Sequence, residues 1–293
     1  MTNFSYLLSA WHSLFRTEHA VITFIGVLVG ELLTVGNFST SFFFPAVGPA
    51  LITLAAFALN DYFGYETDKA NKRKDRPLVG GQIQKSYALY AAVLLFVVGL
   101  AAMFFVNQTV FLISFVYVLL SLLYDQFLKK LPLLGNIFIA ITMAGPFIYG
   151  NLAVSSQLSS VVLLISSIAF LAGIGRELLI TLRDVKGDKK IGATTLPMLI
   201  GSKSTVYLSA IFILVAVALS FVPILNFYNI VAVLPHSPIL LYSIFLVPCD
   251  ALLFLTVSKA LKNQDNLTLK KCRNYTLLAL LFGVVAFLLL GLM

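Results

Sequence analysis

Charged residues are scarce in this chain. Only 11% of its 293 residues are Asp, Glu, Lys or Arg, whereas 60% are hydrophobic. A soluble domain carries roughly 25% charged residues, and a single core of this length could not bury so much apolar surface. A soluble enzyme is therefore excluded, and the surplus apolar surface is predicted to face lipid.

Cysteine and histidine are also scarce. The two cysteines, Cys249 and Cys272, stand in or near apolar segments without CxxC spacing, and the three histidines are scattered along the chain. A disulfide framework or a zinc cluster would need more of these residues at closer spacing. No cleavable signal peptide is expected either, because a basic segment followed by a short apolar run and a small-residue cleavage site is missing.

Long apolar runs fill most of the sequence. A transmembrane helix needs about 20 mostly apolar residues, and nine runs reach that length. The chain is therefore predicted to be an all-α membrane protein with nine transmembrane helices. The predicted spans are 19–36, 42–60, 87–106, 109–128, 133–152, 160–182, 204–223, 238–258 and 274–292.

The basic residues predict the orientation of these spans. Apart from Arg16 before the first span and Arg176 near the end of the sixth, every Lys and Arg follows the second, fourth, sixth or eighth span. Because basic residues concentrate in cytoplasmic loops, we expect the N-terminus inside and the C-terminus outside. The net charge of +8 then reflects topology and contact with anionic lipids, with no nucleic-acid or protein partner indicated.

The first group of acidic residues is the stretch NDYFGYETD at 60–68, directly after the second span. If the second helix continues through it, Asp61 and Asp68 lie two turns apart on one face, with Asn60 and Gly64 beside them. A set of polar side chains would then collect at the cytoplasmic end of that helix.

The second group follows the sixth span in RDVKGDKKIGATTLP at 183–197. Asp184 and Asp188 are one helical turn apart and would share a face, while Gly187 and Gly192 indicate that a loop soon begins. The two groups stand four spans apart, each at the end of an even-numbered span, which favours an internal repeat.

Carboxylates held close together repel one another unless a cation joins them. Mg²⁺ binds carboxylate oxygens together with substrate phosphates, so the aspartates are candidate Mg²⁺ ligands. The alternative interpretation is that these aspartates are solvated charges that only set the topology. The matching placement of the two groups favours metal binding over this alternative. Neighbouring basic residues would hold the remaining phosphate oxygens: Lys69, Lys72, Arg73, Arg76, Lys186 and Lys189. Arg176, beside Glu177, is either a structural ion pair or part of this site, and we favour the site.

At these residues the chain resembles the UbiA superfamily of intramembrane prenyltransferases. NDYFGYETD is similar to the family motif NDxxDxxxD, and DVKGDKKIGATTLP at 184–197 is similar to the second motif with its DxxxD spacing. RPL at 76–78 and YDQFLKKLPLLGN at 124–136 also resemble family elements. The likeness covers roughly positions 16–200, and the last third matches only in its helices.

The resemblance implies a fold and a set of site residues. Nine transmembrane helices would surround a central cavity that opens to the cytoplasm, in one domain with cap loops at about 61–86 and 183–203. The implied catalytic residues are Asp68, Asp184 and Asp188. The implied Mg²⁺ ligands are these three together with Asn60 and Asp61. Asp61 could instead serve only to orient its neighbours. The residues implied to bind diphosphate are Asn60, Arg76, Lys129 and Lys130, to which the charge pattern adds Lys69, Arg73, Arg176 and Lys189.

One position departs from the family pattern. The middle Asp of the first motif is Gly64 here, and glycine offers no side-chain ligand. Glu66 or Asp61 could take its place, or a water molecule could. Weaker metal binding is another expectation, and a non-catalytic family member is the limiting case.

The implied reaction is transfer of an isoprenyl group from its diphosphate. YETDKANK at 65–72 and GRELLITLRDVKGD at 175–188 most resemble archaeal members. Their role implies an integral protein of the cell membrane that transfers a geranylgeranyl group to geranylgeranylglyceryl phosphate in ether-lipid synthesis. An aromatic or quinone-precursor acceptor is the alternative. A transporter, for which Glu31 and Asp250 within spans would be the signal, leaves the paired aspartate motifs unexplained.

Overall fold

The structure is a computed structural model that describes residues 4–70, 72–190, 192–225 and 237–292. Its long elements are helices, and two short 3₁₀ turns, Thr40–Phe42 and Leu128–Lys130, join some of them. In chain order the helices are α1 (Phe4–Phe15), α2 (Thr17–Val35), α3 (Phe43–Ala70), α4 (Lys85–Phe104), α5 (Gln108–Gln126), α6 (Leu134–Val154), α7 (Ser160–Lys190), α8 (Leu196–Ile200), α9 (Ser202–Ser220), α10 (Ser237–Lys262) and α11 (Asn266–Gly291).

The number of spans predicted from the sequence is confirmed. Within the described residues, nine helical segments are long and apolar enough to cross a membrane, and each coincides with one predicted run. These segments are Thr17–Val35, Thr40–Lys69, Lys85–Phe104, Gln108–Gln126, Leu134–Val154, Ser160–Val185, Ser202–Leu225, Leu240–Lys262 and Asn266–Gly291.

Three helices extend well beyond the apolar runs that predicted them. α3 continues past residue 60 to Ala70, α7 continues past 182 to Lys190, and α11 begins at Asn266 instead of 274. The added turns carry four Asp and six Lys, and polar side chains permit a helix to continue from lipid into water. The predicted cap segments 61–86 and 183–203 therefore begin as helix, as the spacing of the motif aspartates indicated. Their role as caps stays a prediction.

The short helix α1 was not predicted. Its Ala10 and Leu14 are buried in a core that α3 and α4 also build, whereas Tyr6, Leu7 and Leu8 on its other side are exposed. A 12-residue helix is too short to span a bilayer, so a search for long apolar runs passes over it. Its apolar exposed face is typical of a helix that lies in a membrane interface.

Two compact units make up the chain. The first comprises the described residues up to Val27 together with Thr40–Lys129, and in it α3 packs against α1, α4 and α5. α3 and α4 cross where a Cβ on Gly48 would lie 3.0 Å from the carbonyl oxygen of Gly99, and a Cβ on Gly99 would lie 3.1 Å from that of Gly48. Glycine at both positions thus permits the two backbones to touch.

The second unit comprises Leu28–Ser39 and the described residues from Lys130 onward. α7 is its central helix, since it packs against α6, α9 and α11. The hydroxyl of Ser209 donates to the carbonyl oxygen of Gly175 at 2.6 Å and ties α9 to α7. The helix that carries the second acidic motif is therefore held on several sides.

The two acids predicted to lie within spans are both buried in the second unit. Asp250 accepts a hydrogen bond from the Ser220 hydroxyl at 2.9 Å, and the Tyr242 hydroxyl donates to the Ser220 carbonyl at 2.8 Å. Asp250 is thus a hydrogen-bonded carboxylate between α9 and α10. Glu31 is completely buried, and its two carboxylate oxygens have no hydrogen-bond partner among the described residues.

Candidate active site

Asp61 joins two arginines in the first unit. One of its oxygens, Oδ1, lies 2.9 Å from Nη2 of Arg16 and 3.1 Å from Nη1 of Arg76. Arg16 stands between α1 and α2, and Arg76 stands in the segment after α3, so the carboxylate links three parts of the chain. With its side chain only 2% exposed, Asp61 holds both guanidinium groups at the end of α3. The sequence motif did not indicate Arg16, which is far from Asp61 along the chain.

Asp68 and Arg76 face each other without a complete hydrogen bond. Nε of Arg76 lies 3.6 Å from Oδ2 of Asp68, which is too long for a hydrogen bond. Among the described residues, neither Nε of Arg76 nor Oδ2 of Asp61 has a hydrogen-bond partner, although both atoms are buried. Buried polar atoms without partners indicate a place where water or a ligand is needed. The first motif therefore carries one unused donor and one unused acceptor close to Asp68.

A third carboxylate, Asp125 on α5, joins this group. Its Oδ1 accepts a hydrogen bond from Nδ2 of Asn60 at 2.5 Å and lies 3.6 Å from Nζ of Lys129. Asp125 was missed in the sequence analysis, which recognised Lys129 in the same stretch but not the acid four residues before it. The signal was present, because an acid and a lysine one turn apart close the fourth apolar run.

The other basic residues of the first motif have different environments. Arg73 donates to Asp75 through Nε at 2.9 Å and through Nη2 at 2.8 Å. These hydrogen bonds lower the pKa of the Asp75 carboxyl to about 2. The side chain of Lys69 is exposed, with its Nζ 5.7 Å from the centre of the Tyr65 ring. Arg73 and Lys69 therefore lie at the surface, unlike Arg76.

Gly64 has open space where the family motif carries a carboxylate. A Cβ at this position would meet only Oδ2 of Asp68, at 3.8 Å, among the atoms within 4 Å. Glu66, a candidate to replace the lost ligand, is exposed on α3. Because α3 remains helical there, Glu66 points to another face than Asn60 and Asp68. A side chain larger than hydrogen would fit at position 64.

In the second unit, α7 carries a buried ion pair about two turns before its motif aspartates. Arg176 is 8% exposed, and its Nη1 binds Oε1 of Glu177. Nε of Arg176 is buried and has no partner among the described residues. Both interpretations of Arg176 thus have support, since it forms an ion pair and retains an unused donor.

The aspartates of the second motif lie in the last turns of α7. Arg183 binds both carboxylate oxygens of Asp184, through Nε and Nη2, at 2.7 Å each. The side chain of Asp184 is 45% exposed, Asp188 is half-buried and Lys189 is exposed. The side chain of Lys186 lies outside the described residues.

Asp68 and Asp188 end their helices in the same way. The carbonyl oxygen of Asp68 accepts from the amide of Arg73 at 3.0 Å, and that of Asp188 accepts from the amide of Ala193 at 3.1 Å. In each case the residue just before the donor has a positive φ, 55° at Lys72 and 71° at Gly192. This pattern is the Schellman motif, which closes a helix with a residue in the left-handed region.

The oxygen atoms of the two motifs suit a magnesium ion. Asn60, Asp61 and Asp68 on α3, and Asp184 and Asp188 on α7, offer carboxylate and amide oxygens. Mg²⁺ prefers such donors and is usually held by one or two carboxylates together with substrate phosphates and water. In the part of the chain that the structure describes, no three acidic, His or Cys side chains gather into one metal-binding group. Each motif offers oxygen donors of the kind that Mg²⁺ accepts.

Comparison with known proteins identifies the family. The model of the UbiA prenyltransferase family matches residues 20–278. The chain belongs to the UbiA prenyltransferase family. This match confirms the resemblance seen at the motifs, and it makes the chain a member of a family of prenyl-transferring enzymes.

Relatives of this UbiA family member are similar over most of their length. A protein of Archaeoglobus fulgidus named digeranylgeranylglyceryl phosphate synthase is 32% identical over 285 residues, which cover 96% of this chain and 94% of the relative. A protein of the same name from Thermococcus kodakarensis is 34% identical over 236 residues, which cover 80% of this chain and 79% of the relative.

Solved structures share the fold. A structure of a digeranylgeranylglyceryl phosphate synthase in membranes superposes with a TM-score of 0.72 at 24% identity, and covers 98% of this chain and 99% of its own. A UbiA homologue from Archaeoglobus fulgidus bound to DMAPP and Mg²⁺ has a TM-score of 0.65 at 18% identity, and covers 97% of this chain and 99% of its own.

Proposed function

We propose that this UbiA family member transfers a geranylgeranyl group from its diphosphate to geranylgeranylglyceryl phosphate, with Mg²⁺ as cofactor. The observation that carries the proposal is the full-length similarity to the Archaeoglobus fulgidus synthase, at 32% identity over 96% of this chain. The Mg²⁺ and DMAPP held by a UbiA homologue of the same fold support the cofactor and the class of donor.

The site is divided between two kinds of side chain. We assign Asn60 and Asp68 of the first motif, and Asp184 and Asp188 of the second, to Mg²⁺. Asp61 matches the motif as well, but its bonds to Arg16 and Arg76 give it the role of holding those two guanidinium groups. The diphosphate is assigned to basic residues near the two motifs. Arg76 follows α3, Lys129 follows α5, and Arg176 lies within α7. The exposed Lys69, Arg73, Lys130 and Lys189 complete this assignment.

The chemistry requires that a C–O bond of the donor break and that diphosphate leave with the bonding electrons. When bound, Mg²⁺ neutralises negative charge that grows on this leaving group. Arg76 is prepared for the same task, because Asp61 fixes its guanidinium while its Nε has no hydrogen-bond partner among the described residues and can donate to a phosphate oxygen. The hydroxyl oxygen of the acceptor forms the new C–O bond and releases its proton.

The membrane location suits both substrates. Each buried CH₂ of an isoprenyl chain contributes about 0.8 kcal/mol to membrane binding, so a geranylgeranyl chain stays in the bilayer. We further propose that the protein lies in the cell membrane as one domain, with its N-terminus and both motifs on the cytoplasmic side and its C-terminus outside. A central cavity open to the cytoplasm would admit the diphosphate from water and the chain from lipid, and the segments 72–84 and 192–203 would cover it as lids.

The test is release of diphosphate by the purified protein. The assay supplies geranylgeranyl diphosphate, geranylgeranylglyceryl phosphate and Mg²⁺, and its controls omit the acceptor or add EDTA. We expect release that needs both acceptor and metal, that Asp184→Asn abolishes and that Asp250→Asn leaves intact. Release only when an aromatic acid replaces the glyceryl phosphate would move the assignment to the alternative acceptor. A folded protein that releases no diphosphate with either acceptor would contradict the enzyme assignment.

A further inference from the structure

Asp125 is a buried carboxylate that the proposed reaction does not yet use. It lies in the last turn of α5 and is 6% exposed. Its two polar contacts, to Asn60 at 2.5 Å and to Lys129 at 3.6 Å, are both with residues assigned to the metal or the diphosphate. Burying a charged carboxylate costs free energy unless it is paired, so we ask what Asp125 does for these two residues.

The contact with Asn60 determines which way the Asn60 amide points. A carboxylate only accepts hydrogen bonds, whereas the two ends of an Asn side chain differ, one donating and the other accepting. Asp125 therefore selects the rotamer in which the NH₂ group faces it, and Oδ1 of Asn60 points away from it. No described residue donates a hydrogen bond to that oxygen.

We propose that Asp125 is a positioning residue of the metal site, which presents the amide oxygen of Asn60 to Mg²⁺ and holds the ammonium group of Lys129 beside it for the diphosphate. The proposal rests on the proposed function for the identity of metal and diphosphate. Partners that orient a metal ligand raise metal affinity without touching the metal, and their loss typically costs about 10- to 100-fold.

The change at position 64 makes this orientation more important. With Gly64 in place of a carboxylate, α3 offers Mg²⁺ fewer oxygens than the family motif does, and Asn60 contributes one of those that remain. An amide that turned over would present hydrogens to the cation and lose that ligand. A neutral Asn at position 125 could donate as well as accept, so it would not enforce the orientation.

Binding of Mn²⁺, measured by the electron paramagnetic resonance signal of free Mn²⁺, tests the proposal without turnover. The purified protein in detergent is titrated with Mn²⁺ alone, as wild type, as Asp125→Asn, and as Asp250→Asn for a matched buried aspartate in the second unit. We expect Asp125→Asn to bind at least about 10-fold more weakly and Asp250→Asn to bind like the wild type. Equal affinity of Asp125→Asn and the wild type would overturn the proposal.

A reciprocal exchange separates positioning from simple packing. In the double variant Asn60→Asp with Asp125→Asn, the amide donates from position 125 and a carboxylate stands at position 60. The hydrogen bond and the total charge are kept, and either oxygen of the new carboxylate can bind metal. We expect the double variant to regain most of the Mn²⁺ affinity that Asp125→Asn loses, and failure to regain any would count against positioning.

Steady-state kinetics give a second readout and keep the two proposals apart. For Asp125→Asn we expect a higher Mg²⁺ concentration at half-maximal rate and a higher KM for geranylgeranyl diphosphate, with kcat at saturating Mg²⁺ within a few-fold of the wild type. A purely structural role would instead lower kcat at every Mg²⁺ concentration together with thermal stability. If the wild type binds Mn²⁺ but transfers no geranylgeranyl group, the proposed function fails while the role of Asp125 at the metal stands.

Discussion

Asp68 and Asp188 occupy the same position in two copies of one helix ending. Each carbonyl oxygen accepts a hydrogen bond from the amide five residues later, and the residue just before that donor has a positive φ. The second and sixth spans therefore share a backbone ending at the last aspartate of each motif, which supports the internal repeat predicted from the sequence. In both cases the last motif aspartate is held at a fixed point of a closed helix.

The two helix endings should respond oppositely to substitution. Gly192 takes the left-handed conformation at little cost, whereas Lys72 takes it at a cost of about 1 kcal/mol. We expect Gly192→Ala to lower thermal stability in detergent and Lys72→Gly to raise it. Gly145→Ala is the control, because Gly145 has a helical backbone and open space around it, so it should be neutral or stabilising. Equal effects of both alanine substitutions would contradict the helix-ending argument.

Restoring the family carboxylate at position 64 should strengthen metal binding. The site has room for it, since a Cβ there meets only Asp68 Oδ2 at 3.8 Å. We expect Gly64→Asp to lower the Mg²⁺ concentration needed for half-maximal diphosphate release by about 10-fold, as one added carboxylate ligand would. Gly64→Ala fills the same space without a ligand and is the matched control. A gain shared by both variants would point to helix propensity instead of ligation.

Asp61 and Asp75 provide a comparison between a buried and an exposed ion pair. Asp61→Asn leaves Arg16 and Arg76 without their shared charged acceptor, and a hydrogen bond to a charged group is worth about 2 kcal/mol. We expect KM for geranylgeranyl diphosphate to rise by roughly 30-fold, because Arg76 is no longer held for the diphosphate.

Asp75→Asn is the control for that experiment. The hydrogen bonds from Arg73 lower the pKa of Asp75 to about 2. The stabilisation from this pair is therefore complete above the ordinary pKa of an aspartate, and it is lost as the pH falls through the lowered pKa of about 2. The pair is therefore intact at neutral pH, but an exposed pair contributes at most about 1 kcal/mol. Asp75→Asn should leave KM almost unchanged, and an effect as large as that of Asp61→Asn would refute the special role of Asp61.

The predicted orientation can be tested with single cysteines. The natural Cys249 and Cys272 are buried, so they should add little background labelling. Lys74→Cys lies after the second predicted span and Ser156→Cys after the fifth, and both positions are exposed. In intact cells we expect a membrane-impermeant maleimide to label Ser156→Cys only, and both variants after permeabilisation. Labelling of Lys74→Cys in intact cells would show that this segment faces outward and would contradict the predicted topology.

The spans were predictable because a transmembrane helix requires one property that can be read from the sequence, an apolar run of sufficient length. The same criterion explains what was missed. The helix α1 is too short to register, and the last turns of α3 and α7 are polar because they leave the bilayer. Only the Asp spacing in the motifs indicated that those turns remain helical.

The site was predictable as far as its residues are close in sequence. The motif aspartates lie near each other along the chain, so helical periodicity brings them to one face. Arg16 reaches Asp61, and Asp125 reaches Asn60, only through the packing of different helices. Such contacts cannot be read from spacing along the sequence. They favour the second of the two roles predicted for Asp61, that of orienting its neighbours, here Arg16 and Arg76.

The most direct test of the central claim is the identity of the product. The purified protein is incubated in lipid with Mg²⁺, geranylgeranylglyceryl phosphate and geranylgeranyl diphosphate labelled with deuterium at the carbon that bears the oxygen, and the lipids are analysed by mass spectrometry. The account predicts a glyceryl phosphate that carries two geranylgeranyl chains, one of them labelled, and that is absent with EDTA or with Asp184→Asn. Labelled geranylgeraniol alone, or no labelled product from folded protein, would contradict it.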